Sequence, residues 1–188
     1  MADTNEKRAD ARANRDRILD VAREALAANP QASLHSIAKA AGVGQGTLYR
    51  HFPTREALVL GLYRKQIEAL VALAPALLAD HAPLEAFGMW CDRFAEYGRL
   101  KHGIAAIVRA AMTETDFQET YWPMVDAVRQ LMEACERSDL IRPGTDPQDV
   151  LQLLALLMQM PPTPEGEART KRLLALVFRG LGAENTPT

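Results

Sequence analysis

Cysteine is nearly absent. Only Cys91 and Cys135 occur among 188 residues, far apart and outside any Cys-x-x-Cys spacing, which excludes a disulfide scaffold and a structural zinc site. The four histidines, His35, His51, His81 and His102, are too scattered to read as metal ligands, so neither a metal nor a cofactor is expected. Glycine and proline number 11 each and show no period, which excludes collagen-like and repeat architectures. Long apolar runs are missing too. The longest stretch without a charge, Val150 to Pro164, contains two Gln and three Pro and is too short to cross a bilayer. The first seventeen residues alternate acidic and basic groups, with no apolar core of an export signal. A soluble, cytoplasmic protein is the expectation.

What is present is a hydrophobic fraction of 48%, enough for a buried core and too much for a disordered chain. The 22 basic and 24 acidic side chains give a net charge of −2. They are unevenly divided: residues 1–65 hold 11 Lys/Arg against 7 Asp/Glu, and the remainder 11 against 17. That asymmetry points to a basic module joined to an acidic one.

Apolar residues recur at helical spacing almost end to end, and no stretch alternates with period two, so the fold class is all-α with about nine helices. Ile18, Val21, Ala22, Ala25 and Leu26 form the first stripe, stopped by Asn29-Pro30. Ser33 is a good N-cap for a short helix over Leu34 to Ala41. Gly42-Val43-Gly44 breaks it, and a third short helix runs from Gln45 to Phe52. Thr54 caps a long fourth helix reaching about Leu78, which Pro75 should bend or end. Further stripes follow on Phe87, Trp90, Cys91, Phe94 and Tyr97, on Ile104, Ile107, Val108 and Ala111, and on Tyr121, Val125, Val128, Met132 and Cys135. Asp146 caps a leucine-rich helix that Pro161, Pro162 and Pro164 terminate, and a last helix spans Glu165 to Leu181.

Three short helices in the first 52 residues, with a glycine turn between the second and third, make a helix-turn-helix arrangement at about 34–52. Two-turn helices are not stable alone and must pack on the first. Gly42 supplies the left-handed conformation of the turn. Gln45, Gly46 and Thr47 then face a groove of DNA, with Tyr49, Arg50 and His51 in reach of phosphates.

The ordered run Ala41-Gly42-Val43-Gly44-Gln45-Gly46-Thr47-Leu48-Tyr49-Arg50-His51-Phe52, after Ser33-Leu34 and Ile37-Ala38 and before Pro53-Thr54-Arg55-Glu56-Ala57-Leu58, resembles the DNA-binding domain of tetracycline-repressor (TetR) family regulators. The likeness covers about residues 15–65. The remainder resembles the branch with an SbtR-like C-terminal domain. By that resemblance Ser33 caps the second helix and meets a phosphate, Gln45, Gly46 and Thr47 lie in the major groove, and Tyr49, His51 and Arg55 bind the backbone. Leu48 and Phe52 are core. Gly44 stands where many relatives carry serine, which loses a hydroxyl that could cap the helix.

The implied organisation is a disordered polar arm (1–13), a DNA-binding domain (14–65), a C-terminal effector and dimerisation domain (66–182) and a tail (183–188). Trp90, Phe94, Tyr97, His102, Met112, Phe117, Tyr121 and Trp122 could line an effector pocket or be ordinary packing. Val150, Leu153, Leu154, Leu157, Leu173, Leu174, Val177 and Leu181 would meet a second subunit in a homodimer, or fill the monomer's own core. The resemblance implies a regulator rather than an enzyme, a repressor more than an activator, with double-stranded palindromic DNA and a small effector as partners. The competing reading, a helical enzyme or binding protein with an incidental N-terminal motif, rests on His102 with Glu96 or Glu114, for which no recognised spacing exists.

Overall fold

The structure, a computed structural model, describes residues 2–101, 104–157, 159–161 and 163–182. Among the described residues there are nine helices and no strand: α1 (Ala2–Ala28), α2 (Leu34–Ala40), α3 (Gln45–His51), α4 (Arg55–Asp80), α5 (Pro83–Lys101), α6 (Ala105–Ala111), α7 (Glu114–Glu136), α8 (Pro147–Leu157) and α9 (Pro164–Gly180). None of these helices is long and apolar enough to cross a membrane. The chain divides into two compact units, Met1–Lys65 with Gly103–Met112, and Gln66–His102 with Thr113–Thr188.

The first unit closes around Ile18, Leu19, Ala22 and Leu26 of α1, Ile37, Ala38 and Ala41 of the α2 segment, Leu48 and Phe52 at α3, and Leu58, Val59 and Leu62 of α4. Ile104 and Val108 join this core, so α6 packs with the N-terminal unit although its sequence position suggested the C-terminal domain. Helical periodicity shows which face of α6 is apolar, not which core receives it. A second difference lies at the start of the chain. The segment expected as a disordered arm is the beginning of α1, where Ala2, Glu6, Lys7, Arg8, Ala9, Ala11, Arg12 and Ala13 are strong helix formers that outnumber the weaker Asp3, Thr4, Asn5 and Asp10.

Helix α4 starts at Thr54, whose Oγ1 accepts from the Ala57 amide at 3.1 Å. Glu56 beside it accepts from its own amide and from Thr54, which holds its carboxyl below the usual range. Helix α4 runs through Pro75 to Asp80, close to the expected end at about Leu78, and Pro75 does not end it. The proline costs roughly 3 kcal/mol. Around it Leu70, Ala74 and Leu77 are buried in the second unit, and each leucine brings about 1.5–3 kcal/mol, enough to keep the helix going.

In that second unit Trp90 is fully buried, stacks on Phe94 at 5.2 Å and donates its indole N–H to the Leu70 carbonyl at 2.9 Å, which satisfies its one polar atom. Phe87 meets Phe178 of α9 edge to face at 5.1 Å. Helix α7 begins with a capping box in which Thr113 and Asp116 each bond the other's backbone amide, and this accounts for the burial of Asp116. Cys91 and Cys135 are buried free thiols. Burial pushes the Cys135 thiol up to about 11 and Cys91 higher still, so neither offers a thiolate at neutral pH.

Two helix ends are built alike. After α2 the amides of Gly42 and Val43 donate to Lys39 and Ala38 at 3.2 and 3.1 Å, and after α7 those of Asp139 and Leu140 donate to Glu136 and Cys135 at 3.0 and 2.9 Å. Both turns need a left-handed residue, Gly42 at φ +65° and Asp139 at φ +54°, as Schellman ends do. A Cβ on Gly42 would meet nothing within 4 Å, so only the backbone resists it. Gly42→Ala is therefore expected to destabilise by about 1–2 kcal/mol, and Asp139→Gly to stabilise by about 0.5–1 kcal/mol. Urea denaturation of both variants checks this, and equal midpoints would contradict it.

Candidate nucleic-acid interface

Ser33 is extended (φ −79°, ψ 155°) and its hydroxyl accepts from the Ser36 amide at 3.1 Å, which starts α2. Ile37 and Ala38 face inward, leaving His35, Ser36 and Lys39 exposed. The Gly42 turn then delivers the chain to α3. Gly44 caps α3 through its carbonyl, which accepts from Thr47 and Leu48 at 2.9 and 3.1 Å; no side chain assists.

Leu48 and Phe52, one turn apart, are the buried anchors of α3. The other residues stand outward. Gln45, Gly46 and Arg50 are exposed, Tyr49 is 45% exposed, and Thr47 and His51 are half-buried. A Cβ on Gly46 would meet nothing within 4 Å, so the surface above it is open to close approach. Six of the eight expected DNA-facing residues thus sit together on α3, with Ser33 at the head of α2.

Arg55 is placed differently. Its Nη1 donates to the Ala32 carbonyl and its Nη2 to the Pro30 carbonyl. The guanidinium straps the start of α4 to the α1–α2 loop, just ahead of Ser33. Spacing alone does not show this, because the partners are carbonyls 23 and 25 residues away.

The 31 residues from Ala25 to Arg55 contain no Asp or Glu, and Lys39 of α2 and Arg50 of α3 both stand exposed. His35 and Lys39, one turn apart on the exposed side of α2, belong to this surface. A duplex, with one negative charge per ~1.7 Å of axis, is the complementary partner.

The aromatic residues of the central region do not form one lining. Trp90, Phe94 and Tyr97 are buried in the second unit. Tyr121 stacks on Phe117 at 5.1 Å and meets Trp122 edge-on at 5.3 Å, with Phe117 and Trp122 largely exposed. Met112 packs on the core of the first unit, and His102 lies outside the described residues. Glu96 is bonded to Arg93 at 2.7 Å and Glu114 to Gln118 at 2.8 Å, both at the surface.

On α8 and α9, Val150, Leu154, Leu174 and Leu181 are buried within the chain, and Leu157, Leu173 and Val177 are half-buried. Leu153, Leu156 and Leu176 are 50%, 49% and 55% exposed; neither Leu156 nor Leu176 was among the expected interface residues. A groove of about 390 Å³ runs past Leu153, Val150, Leu176, Val177 and Leu181.

A two-turn helix with its open face in acid-free surroundings, joined by a tight glycine turn to a capped partner helix, defines a helix-turn-helix DNA-binding protein. Residues 18–62 match the profile of bacterial regulatory proteins of the tetR family. Residues 82–183 match that of the transcriptional regulator SbtR-like C-terminal domain. A TetR transcriptional regulator from Streptomyces coelicolor shares 36% identity over 91% of this chain and 99% of its own, with a TM-score of 0.77. A TetR regulatory protein from Mycobacterium vanbaalenii shares 29% over 93% and 98%, with a TM-score of 0.73. RolR, solved with its ligand resorcinol, shares the fold at 20% identity over 93% and 90%, with a TM-score of 0.60. No curated protein sequence gives a significant match. The chain belongs to the TetR family of transcriptional regulators, with a DNA-binding N-terminal domain and an SbtR-like C-terminal one.

The Arg55 strap has a measurable consequence. Arg55→Met removes two charge-assisted hydrogen bonds, and a loss of about 1–2 kcal/mol is expected. Urea denaturation of the variant measures it, and an unshifted midpoint would mean that the strap carries no weight.

Proposed function

We propose that the protein acts as a twofold dimer that represses transcription by occupying a palindromic operator, and that it leaves the operator when a small molecule binds the second unit. The observation that carries this reading is α3 itself, anchored by Leu48 and Phe52 and open along Gln45, Gly46, Thr47, Tyr49, Arg50 and His51 in a stretch without an acid. Gln45 and Thr47 supply hydrogen-bonding groups for base edges, and Gly46 lets the backbone come close. Ser33, Tyr49, Arg50 and His51 hold the sugar–phosphate backbone; Arg55 supports Ser33 through the loop it straps.

One recognition helix reads too few base pairs to single out a site. A dimer presents two, and half-sites about 34 Å apart are read together. Leu153, Leu156 and Leu176, with the groove beside them, are the surface we assign to the second copy. Helix α4 contributes residues to both units and is the natural lever between them. An effector that favours another separation of the two α3 helices weakens DNA binding, and DNA weakens effector binding by the same factor. RolR with resorcinol, together with a gamma-butyrolactone receptor, shares the fold and encourages the search for such an effector near Trp90, Phe94, Tyr97, Phe117, Tyr121 and Trp122.

Arg50→Ala should weaken binding to every duplex and flatten the slope of log K against log salt by about one unit. Tyr49→Phe and His51→Ala should also weaken it uniformly, and Gln45 or Thr47 substitutions should change which base pairs are selected from random duplexes. Gel shifts across a salt series, with sequencing of the selected pool, decide this, and unaltered affinity and selection in all five variants would overturn the assignment.

Leu176→Glu places a charge on the proposed dimer face. A folded monomer is expected in sedimentation, with DNA affinity reduced by about a hundredfold or more. A variant that stays dimeric would remove Leu176 from the interface.

A further inference from the structure

Phe52 closes α3, and its ring is gripped from two sides. On α4, a Cβ added to Gly61 would stand 2.8 Å from Phe52 Cε1, closer than two carbon atoms tolerate. On α1, the guanidinium of Arg15 lies 5.4 Å from the ring centroid, in cation–π range. The same Gly61 position is bounded by α1, with Leu19 Cδ2 at 3.5 Å and Arg15 Nη2 at 3.6 Å. One turn further along α4, Lys65 Nζ reaches Asp20 Oδ1 at 2.8 Å and the Asp16 carbonyl at 3.2 Å. Helices α1 and α4 therefore close on Phe52, and glycine is what makes room for its ring.

We propose that Gly61 and Arg15 are positioning residues for DNA recognition: together they form the seat of Phe52, and that seat sets how α3 is presented to the duplex. The inference rests on α3 being the helix that reads DNA. Helix α3 has two anchors, Leu48 and Phe52, about 6 Å apart at the helical rise. Gln45 lies about 4.5 Å beyond Leu48 on the other side. A shift of about 1 Å at Phe52, pivoting on Leu48, moves Gln45 by about 0.75 Å and Thr47, next to the pivot, by about 0.25 Å. Hydrogen-bond distances span only about 0.5 Å, so the displacement at Gln45 undoes a contact to a base edge. In this arrangement the charge of the half-buried Arg15 serves the Phe52 ring and not a phosphate.

The test uses the full-length protein and a duplex that the wild type selects from a random pool. Gly61→Ala should bind it about tenfold more weakly, with an unchanged salt slope and a folded circular-dichroism spectrum. Adding Phe52→Leu shortens the ring's reach, and the double variant should bind more tightly than Gly61→Ala alone. Arg15→Met should weaken binding severalfold at unchanged salt slope. Full affinity in Gly61→Ala, a loss that Phe52→Leu does not relieve, or an Arg15→Met slope lower by about one unit would each overturn the proposal. If Gly61→Ala does not fold, the Arg15→Met slope and affinity decide alone. A wild type that selects no duplex would instead overturn the DNA-binding reading on which the seat depends.

Discussion

A helix of seven residues does not hold its shape in water, because the cost of nucleating it is repaid only over some three or four turns. Helix α3 has two turns. Its order is borrowed through Leu48 and Phe52, and every other property of the DNA-facing surface follows from how well those two side chains are held. The rest of the first unit is arranged to that end. Helix α1 lays Ile18, Leu19, Ala22 and Leu26 under both short helices, α2 contributes Ile37 and Ala38, and α4 returns Leu58, Val59 and Leu62 to close the far side.

A surface that must bind DNA cannot also bind its own domain. Gln45, Gly46, Tyr49 and Arg50 of α3 are exposed, and the stretch from Ala25 to Arg55 that holds them contains no acid. Acidic residues of α1 are employed elsewhere: Asp16 and Asp20 take Lys65 of α4. The charge asymmetry seen between the two parts of the sequence is thus sharper than a whole-domain count suggests, since the acid-free stretch contains α2 and α3.

Features governed by neighbours in the chain were legible from the sequence. Ser33, Thr54 and Asp146 begin helices because a short side-chain oxygen reaches an amide two or three residues on, and Gly42 ends one because a left-handed residue is needed there. The inward placement of Leu48 and Phe52, which family resemblance implied, agrees with the packing. What escaped depends on partners distant in sequence. Nothing near Val108 names the core it enters, and nothing beside Arg55 points to carbonyls of the preceding loop. Glycine at position 61 could be read only once Phe52 was seen against it. On α8 the apolar residues run nearly all round, so the pattern lacked the asymmetry that would separate Val150, Leu151 and Leu154, which face inward, from Leu153 and Leu156, which do not.

That last ambiguity bears on assembly. Three half-exposed leucines per copy, each gaining roughly 1 kcal/mol on losing its remaining contact with water, give about 6 kcal/mol across a twofold axis. Association costs an estimated 4–15 kcal/mol in lost freedom. The exposed leucines alone therefore leave a dimer marginal, and a stable one must also cover the half-buried row of Leu157, Leu173 and Val177. These residues occupy the same two helices, and Val177 lines the groove together with Leu153 and Leu176. Helix-on-helix packing over α8 and α9 would enlist both sets at once, whereas contact through a single helix would not. The area needed for a lasting dimer thus favours a four-helix interface over any smaller contact, on physical grounds independent of family membership.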